Sequence, residues 1–405
     1  MDTLAMISII ITGIAINSGS GNLIKARTGD GKSAALIIRN VLSQTHQNWH
    51  HFIGNPVLKP EAPYELWMGG GNLYAPAIMK RGDRFWMWYG AQNPEGHDQI
   101  HLAFSHDGIS WDRCENNPVI PAGEANHVND PTVVEVDGTF YMYYSYAPTG
   151  EMDRIHLATS DDGMRWQSRG QVISPGPTGA WDSLKVGRPS VIYEDGTFKV
   201  WYDGTEADPQ HPDRIRPETG RHVGFASSSD GYSFRKEPQP VYHNAGAVDV
   251  AHVGNQYIML HESREGTHRA VGSNETSFEY QGLLLPGSGE AYDRYGQVTP
   301  MLLVEDGRWT AIYYGAAEGL QQQGAADWNR NRIGAAFPQK SVEVRLLSGE
   351  KVSVRCRALD RTTVQVEFPE VPVPSSLNLR ILDGEAVVFD AILKDVRGGD
   401  IYEYR

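Results

Sequence analysis

Two carboxylates and one guanidinium stand at matching places in a repeated pattern of this chain. Asp130 directly precedes Pro131, Arg188 directly precedes Pro189, and Asp249 directly follows Val248, which takes the place of proline in another copy. Along a strand of period two, the residues just before and just after each proline share one face. Around the repeats that face reads Ala75 and Ala77, Asp130 and Thr132, Arg188 and Ser190, Ala247 and Asp249, Thr299 and Met301. Charges at the inner ends of buried strands are costly unless they are paired or used. Two carboxyls converging on one opening suit general acid–base work, with one protonated to donate and the other ionised to accept a proton or attack. Asp130 is the expected acid, Asp249 its partner, and Glu262 the reserve.

Other polar residues near the strand starts extend the candidate site as binding groups. They are Arg188, Lys185, Tyr74, Asn72, His127, Asp182, His252 and Gln297, with His261 beside Glu262. Each also has a plainer role. Asp130 can make an Asx-turn ahead of its strand, Arg188 can tie down Asp130 or Asp249, and the histidines can be packed core residues.

The elements that must hold these residues are short strands in repeated groups of four. An apolar strand with an early proline opens each unit ("YAPAIM", "NDPTVV", "GRPSVI", "VTPMLL"), and an aromatic strand follows ("RFWMWYG", "TFYMYYS", "TFKVWYD", "RWTAIYYG"). The aromatic stands nine residues after the proline in four units: Pro76 to Phe85, Pro131 to Phe140, Pro189 to Phe198 and Pro300 to Trp309. Tyr257 sets the same spacing from Val248 in a degenerate copy. The turns "SHDGISW", "SDDGMRW" and "SSDGYSF" then join a third strand to a fourth. Four strands per unit with Asp-Gly turns predict an all-β fold, a five-bladed β-propeller over residues 52–339. The turn motif reads as architecture: Asp-Gly makes the bend and the Trp or Phe caps the blade.

The flanks differ. Residues 340–405 alternate charged with aliphatic residues and predict a small β-sandwich-like domain. Residues 1–51 form a separate segment whose run "LAMISIIITGIAI" (4–16) has the length of a signal-peptide core, and equally that of a buried strand or helix. It is too short for a comfortable membrane span. In "ARTGDGKS", Ala26 stands where a phosphate loop needs glycine, so no nucleotide site is expected. With 36 basic and 50 acidic residues the formal charge is −14, which argues against nucleic acid or an anionic membrane as partner. The two cysteines, Cys114 and Cys356, have no ligand-like spacing, so neither a disulfide framework, a metal site nor a cofactor is expected. Compartment stays open between cytoplasm and an exported location.

On "NPVL", "DGTFYMYY", "IHLATSDDGMRW" and "GRWTAIYYGAAEG", residues 52–339 resemble the five-bladed propeller glycoside hydrolases. These include the arabinanase and β-xylosidase family, the invertase and levanase family, and the mannoside phosphorylase family. In the first, a base Asp opens blade one, a second Asp lies in blade three and an acid Glu in blade four; those strands here offer Ala75, Arg188 and Asp249. Asn129, Asp130, Pro131 and Thr132 resemble the Glu-Asp-Pro-Arg motif of the phosphorylases, with Thr132 in place of the phosphate-binding Arg. The resemblance implies a glycosidase with a carbohydrate substrate. Arg188 and Lys185 would hold hydroxyls or an acidic sugar group, while Tyr74, Trp67 and Tyr146 would stack on rings. A glycoside phosphorylase and a non-catalytic sugar-binding propeller are the alternatives.

Overall fold

The computed structural model describes residues 24–27, 33–36, 48–66, 71–216, 220–320, 328–339, 341–349, 351–361, 363–368, 375–383, 386–396 and 400–404. Five antiparallel sheets follow one another along the chain, each opened by a proline-type strand. Blade one is Leu73–Arg81, Arg84–Gln92, Asp98–Ser105 and Asp112–Arg113. Blade two is Ala125–Val136, Thr139–Pro148, Arg154–Ser160 and Gln167–Ile173. Blade three is Lys185–Glu194, Thr197–Thr205, His222–Ser228 and Arg235–Lys236, with Tyr242–His243 on the same edge. Blade four is Asp249–Val253, Gln256–His261, Gly266–Asn274 and Ser277–Pro286. Blade five is Gln297–Glu305, Arg308–Leu320 and Trp328–Gln339, and it takes its outer strand, Asn48–His51, from the chain ahead of the repeats. The first strand of each blade touches that of the next, and the fifth touches the first, which closes the ring.

Aromatic second strands explain why the blades pack. Trp88, Tyr143, Trp201 and Tyr313 occupy one register position, opposite Ala77, Thr132, Ser190 and Met301, and all four are fully buried. Each polar tip reaches the third-to-fourth-strand turn of the following blade. Trp88 Nε1 donates to Gly163 O at 3.0 Å, Tyr143 Oη to Gly231 O at 2.8 Å, Trp201 Nε1 to Glu275 O at 2.9 Å, and Tyr313 Oη to Gly108 O at 2.8 Å. Within the turns, Ser105, Ser160 and Ser228 accept the glycine N–H, while Asp107, Asp162 and Asp230 accept the next two N–H groups. The glycines have φ of 76, 71 and 78°, a region where a Cβ is strained. The repeated hairpin is therefore both a self-capped turn and the acceptor that joins blades.

At the ring's centre the strand pattern breaks. Ala75, Asp130, Arg188, Ala247 and Thr299 all have positive φ, between 44 and 53°, and register shifts flank this position in blades one, two, three and five. The bulge puts the residues before and after each proline in different surroundings, contrary to the uninterrupted period-two face. In blades two, three and four the residue after the proline position turns to the next blade: Thr132 Oγ1 accepts from Val191 N (3.1 Å), Ser190 Oγ from Val250 N (2.9 Å), and Asp249 Oδ2 from Leu302 N (2.8 Å). An axial cavity of about 670 Å³ runs along these inner strands, with Asp130, Arg188 and Thr299 at one end and Lys80, Glu305 and Asp306 at the other.

Residues 1–54 and 336–405 form a unit of their own. Ile24–Arg27 and Ser33–Leu36 pair as a hairpin and continue through Ile401–Tyr404 to Val364–Glu367 and Arg355–Ala358. A second sheet joins Ser341–Leu346, Ser375–Asp383 and Ala386–Val396. In "ARTGDGKS", Ala26 and Arg27 end the first of these strands and Ser33 begins the second, so a strand starts where a phosphate loop opens a helix; residues 28–32 lie outside the described residues. The apolar run 4–16 lies outside the described residues. Among the described residues, no helix is long and apolar enough to cross a membrane.

Candidate functional site

Asp130 is the centre of the site. Its positive φ (52°) is held by Asn129, whose buried Oδ1 accepts the Asp130 N–H at 2.7 Å. Asn129 needs the space of Gly90 on the neighbouring blade, where a Cβ would come within 1.7 Å of that oxygen. The Asp130 carboxylate is only 4% exposed, and neither oxygen has a hydrogen-bond partner within the protein. Instead, charged groups flank it at ion-pair distance. His127 Nε2 lies 3.9 Å and Arg188 Nε 4.0 Å from Asp130 Oδ2.

From there the network extends in two directions. On one side His127 Nδ1 is 2.7 Å from Asp153 Oδ1, and His127 Nε2 is 3.5 Å from Asp98 Oδ2; Lys185 Nζ lies 4.0 Å from Asp153 Oδ2. On the other, Arg188 and Arg221 both approach Asp203 Oδ2, at 3.5 and 3.4 Å. Arg221 also pairs closely with Glu262, whose other oxygen accepts the Thr299 N–H at 3.1 Å. Five acidic side chains from four blades thus interleave with His127, Lys185, Arg188 and Arg221 at one end of the ring.

Burial and mutual charge shift these groups apart. Burial by itself would lower the His127 imidazole, but the charge and hydrogen bond of Asp153, then Asp98 and Asp130, raise it to about 9. Asp98 is pushed up to about 6, foremost by burial, with His127 opposing and Asp130 adding to the rise. Asp153 is buried too, which opposes ionisation, yet His127 and then Lys185 hold it well below the usual carboxylate range. Burial lowers Lys185, helped by Arg188. Among the described residues, no group of three or more His, Cys, Asp or Glu side chains is disposed to hold a metal ion.

Of the residues singled out from sequence, Asp130, Arg188, Lys185, His127 and Glu262 meet in this cluster, and Tyr74 borders it, its hydroxyl raised by burial and then by Asp98 and Asp130. The others lie elsewhere. Asp249 spends its carboxylate between blades, on Ser190 Oγ (3.1 Å) and Leu302 N. Asn72 accepts from Asn331 N, joining blades one and five. Asp182 is paired with Lys236 and accepts from Tyr202 Oη. Gln297 is bonded to Thr267 Oγ1. His252 stacks on Tyr257 and bonds to Glu194 at the far end of the inner strand. His261 is buried against His268. Tyr146 is stacked on His156, and Trp67 lies outside the described residues.

Sequence reading missed Asp98, Asp153, Asp203 and Arg221, although the repeat carries a signal for each. Asp98, Asp153 and Arg221 occupy one position, two residues ahead of the apolar Ile100, Ile155 and Val223 in the third strands. Asp203 and Glu262 share the position five residues after the blade aromatics Phe198 and Tyr257. Aligning the repeats at second and third strands, and not only at the prolines, brings out these charges.

Comparison with known proteins bears on the fold. Residues 39–186 match the sequence model of the family described as "Glycosyl hydrolases family 32 N-terminal domain". The N-acetyl-alpha-D-galactosamine deacetylase of Flavonifractor plautii is 28% identical over 44% of this chain and 26% of its own. The 1,2-beta-oligomannan phosphorylase of Thermoanaerobacter sp. (strain X514) is 32% identical over 29% of this chain and 43% of its own. The chain thus spans less than half the length of these two relatives. A solved "Glycoside hydrolase" structure superposes with a TM-score of 0.56 at 16% identity, covering 72% of this chain and 91% of that one. The chain has the fold of the propeller glycoside hydrolases.

Proposed function

We propose that this chain cleaves a glycosidic bond of an oligo- or polysaccharide at the end of the propeller ring where Asp130 lies. The observation that carries the reading is Asp130 itself: a buried carboxylate without a hydrogen-bond partner in the protein, on a strained residue, lining the axial cavity. Strained backbone and buried polar groups left without a hydrogen bond gather where they serve a site. In this reading Asp130 protonates the leaving oxygen as the C–O bond breaks. Glu262, from blade four and salt-bridged to Arg221, takes the proton of the attacking water. Asp249 is set aside in this reading because it bonds to Ser190 Oγ and Leu302 N of the two neighbouring blades, away from the charged cluster that Glu262 joins through Arg221.

The test is Asp130→Asn against a panel of aryl glycosides and natural oligosaccharides. Turnover of unactivated substrates falls by about 10²- to 10⁴-fold, and dinitrophenyl glycosides, which need little protonation, suffer less. Unchanged hydrolysis by the variant removes Asp130 from the role of acid. A wild type that binds sugar but cleaves nothing in the panel is a binding module.

A second reading, phosphorolysis, is favoured by Lys185, Arg188 and Arg221, three partly exposed cations on the Asp130 side of the site. Phosphate in place of water as the attacking group would use them. Release of a sugar 1-phosphate when inorganic phosphate is supplied distinguishes it.

A further inference from the structure

We propose that His127 is the proton relay that recharges Asp130 after each turnover, and that Asp153 is the residue that positions its imidazole. The proposal rests on the reading of Asp130 as proton donor. That donor loses its proton to the leaving oxygen, and Glu262 gains one from water, so a second turnover requires a proton to return to Asp130. Asp130 is 4% exposed, which leaves direct exchange with bulk water restricted.

The geometry supplies the route. His127 Nδ1 donates to Asp153 Oδ1 at 2.7 Å, which fixes the ring and points Nε2 at two carboxylates, Asp98 Oδ2 at 3.5 Å and Asp130 Oδ2 at 3.9 Å. An imidazole held through one nitrogen by a buried carboxylate presents the other for proton transfer. In the relay, His127 Nε2–H gives its proton to Asp130, and the neutral Nε2 takes one back by way of Asp98, whose own proton is replaced from solvent. Glu262 returns to solvent the proton it took from the attacking water, so no net charge is gained over the cycle. The groups facing the imidazole are Asp98 from blade one, Asp130 on its own strand and Asp153 on blade two; Tyr74 stands beside Asp98 and Asp130, and Lys185 and Arg188 from blade three lie beyond Asp153 and Asp130. Acidic groups dominate this shell, and the imidazole is raised to about 9, so it carries the proton at neutral pH.

Two measurements test the relay, one of which needs no substrate. In the intact protein, the His127 ring nitrogens are followed by NMR across pH 5 to 10 in wild type, Asp153→Asn and Asp130→Asn. The relay expects the His127 midpoint to fall in both variants, by about one unit or more where a direct charge partner is lost. A midpoint insensitive to Asp130→Asn overturns it, because uncoupled groups do not share a proton. The second measurement uses whichever 4-nitrophenyl glycoside and oligosaccharide the wild type cleaves. For Asp153→Asn and His127→Gln, kcat on the oligosaccharide drops about ten-fold or more with KM little altered, and the alkaline limb of the Asp153→Asn profile moves to lower pH. Added imidazole restores turnover to His127→Ala, which a purely structural histidine would not permit. If Asp130→Asn abolishes cleavage while both relay variants keep wild-type kcat and pH limbs, the relay fails and the acid assignment stands. If Asp130→Asn is itself active, the reading of Asp130 as donor fails and the relay is overturned with it.

Discussion

Removing a single oxygen from Tyr143 or Tyr313 isolates the joint between blades. Each hydroxyl donates at 2.8 Å to the carbonyl of a turn glycine in the following blade, Gly231 and Gly108 respectively, and each tyrosine is fully buried. Phenylalanine keeps the ring and its packing, Tyr143 against Phe198 and Phe234 and Tyr313 against Trp111, so almost no cavity opens. What remains is a buried carbonyl deprived of a donor, a loss of about 1–3 kcal/mol. The two bonds sit at different junctions, blade two to three and blade five to one, so the double variant loses close to the sum of the singles. Equilibrium unfolding in urea reads the effect as a lower midpoint at unchanged slope. Tyr232→Phe is the control: it lies in the same turn as Gly231 but is 41% exposed, and its loss stays within about 0.5 kcal/mol. Should Tyr143→Phe and Tyr313→Phe both match that control, the turn carbonyls are not joints, and the repeated motif serves only its own hairpin.

Other expectations are more local. Asp249 is raised to about 6, chiefly by burial, so its contribution to stability is fully present below the unfolded carboxyl value and lost as pH rises through about 6. Asp249→Asn, able to accept from Leu302 N and donate to Ser190 Oγ, removes that loss of roughly 3 kcal/mol. Denaturation from pH 4 to 8 then shows a flatter profile than the wild type, and a parallel one refutes the assignment. Gly90→Ala drives a methyl into Asn129 and through it displaces Asp130; stability drops by about 1–3 kcal/mol and turnover falls with it, whereas an active, fully stable variant contradicts the packing argument. Trp166→Ala, which removes a ring set edge-on to Trp88 and Phe140, costs about 3–5 kcal/mol by calorimetry while sugar affinity in the folded fraction is unchanged.

Much of the architecture was legible because it is written in local terms. A proline, an aromatic nine residues later and a Ser-x-Asp-Gly turn recur with little drift, and each has a short-range reason: a fixed φ, a buried ring, a glycine at positive φ. Even blade four, stripped of its proline, keeps the spacing from Val248 to Tyr257. The fifth blade's outer strand was not legible. Asn48–His51 precedes the repeats and belongs to blade five only because the ring closes, and ring closure is a long-range event without a local signature.

The site divides along the same line. Sequence alone determined that charged residues sit beside the inner-strand prolines, and it singled out Asp130 and Arg188, because their place in the repeat is a matter of counting. Which charges meet was decided by tertiary structure. The bulge at the positive-φ residue ends the period-two alternation, so Asp249, next in line by pattern, turns to Leu302 N while Asp130 faces the site. Asp98, Asp153, Asp203 and Arg221 reach the cluster from a second strand and from the starts of third strands, carried inward by the curvature of three separate sheets around a common axis. A strand's alternation is set by its own backbone, but the approach of side chains from different blades depends on how the ring closes, and no single segment encodes that.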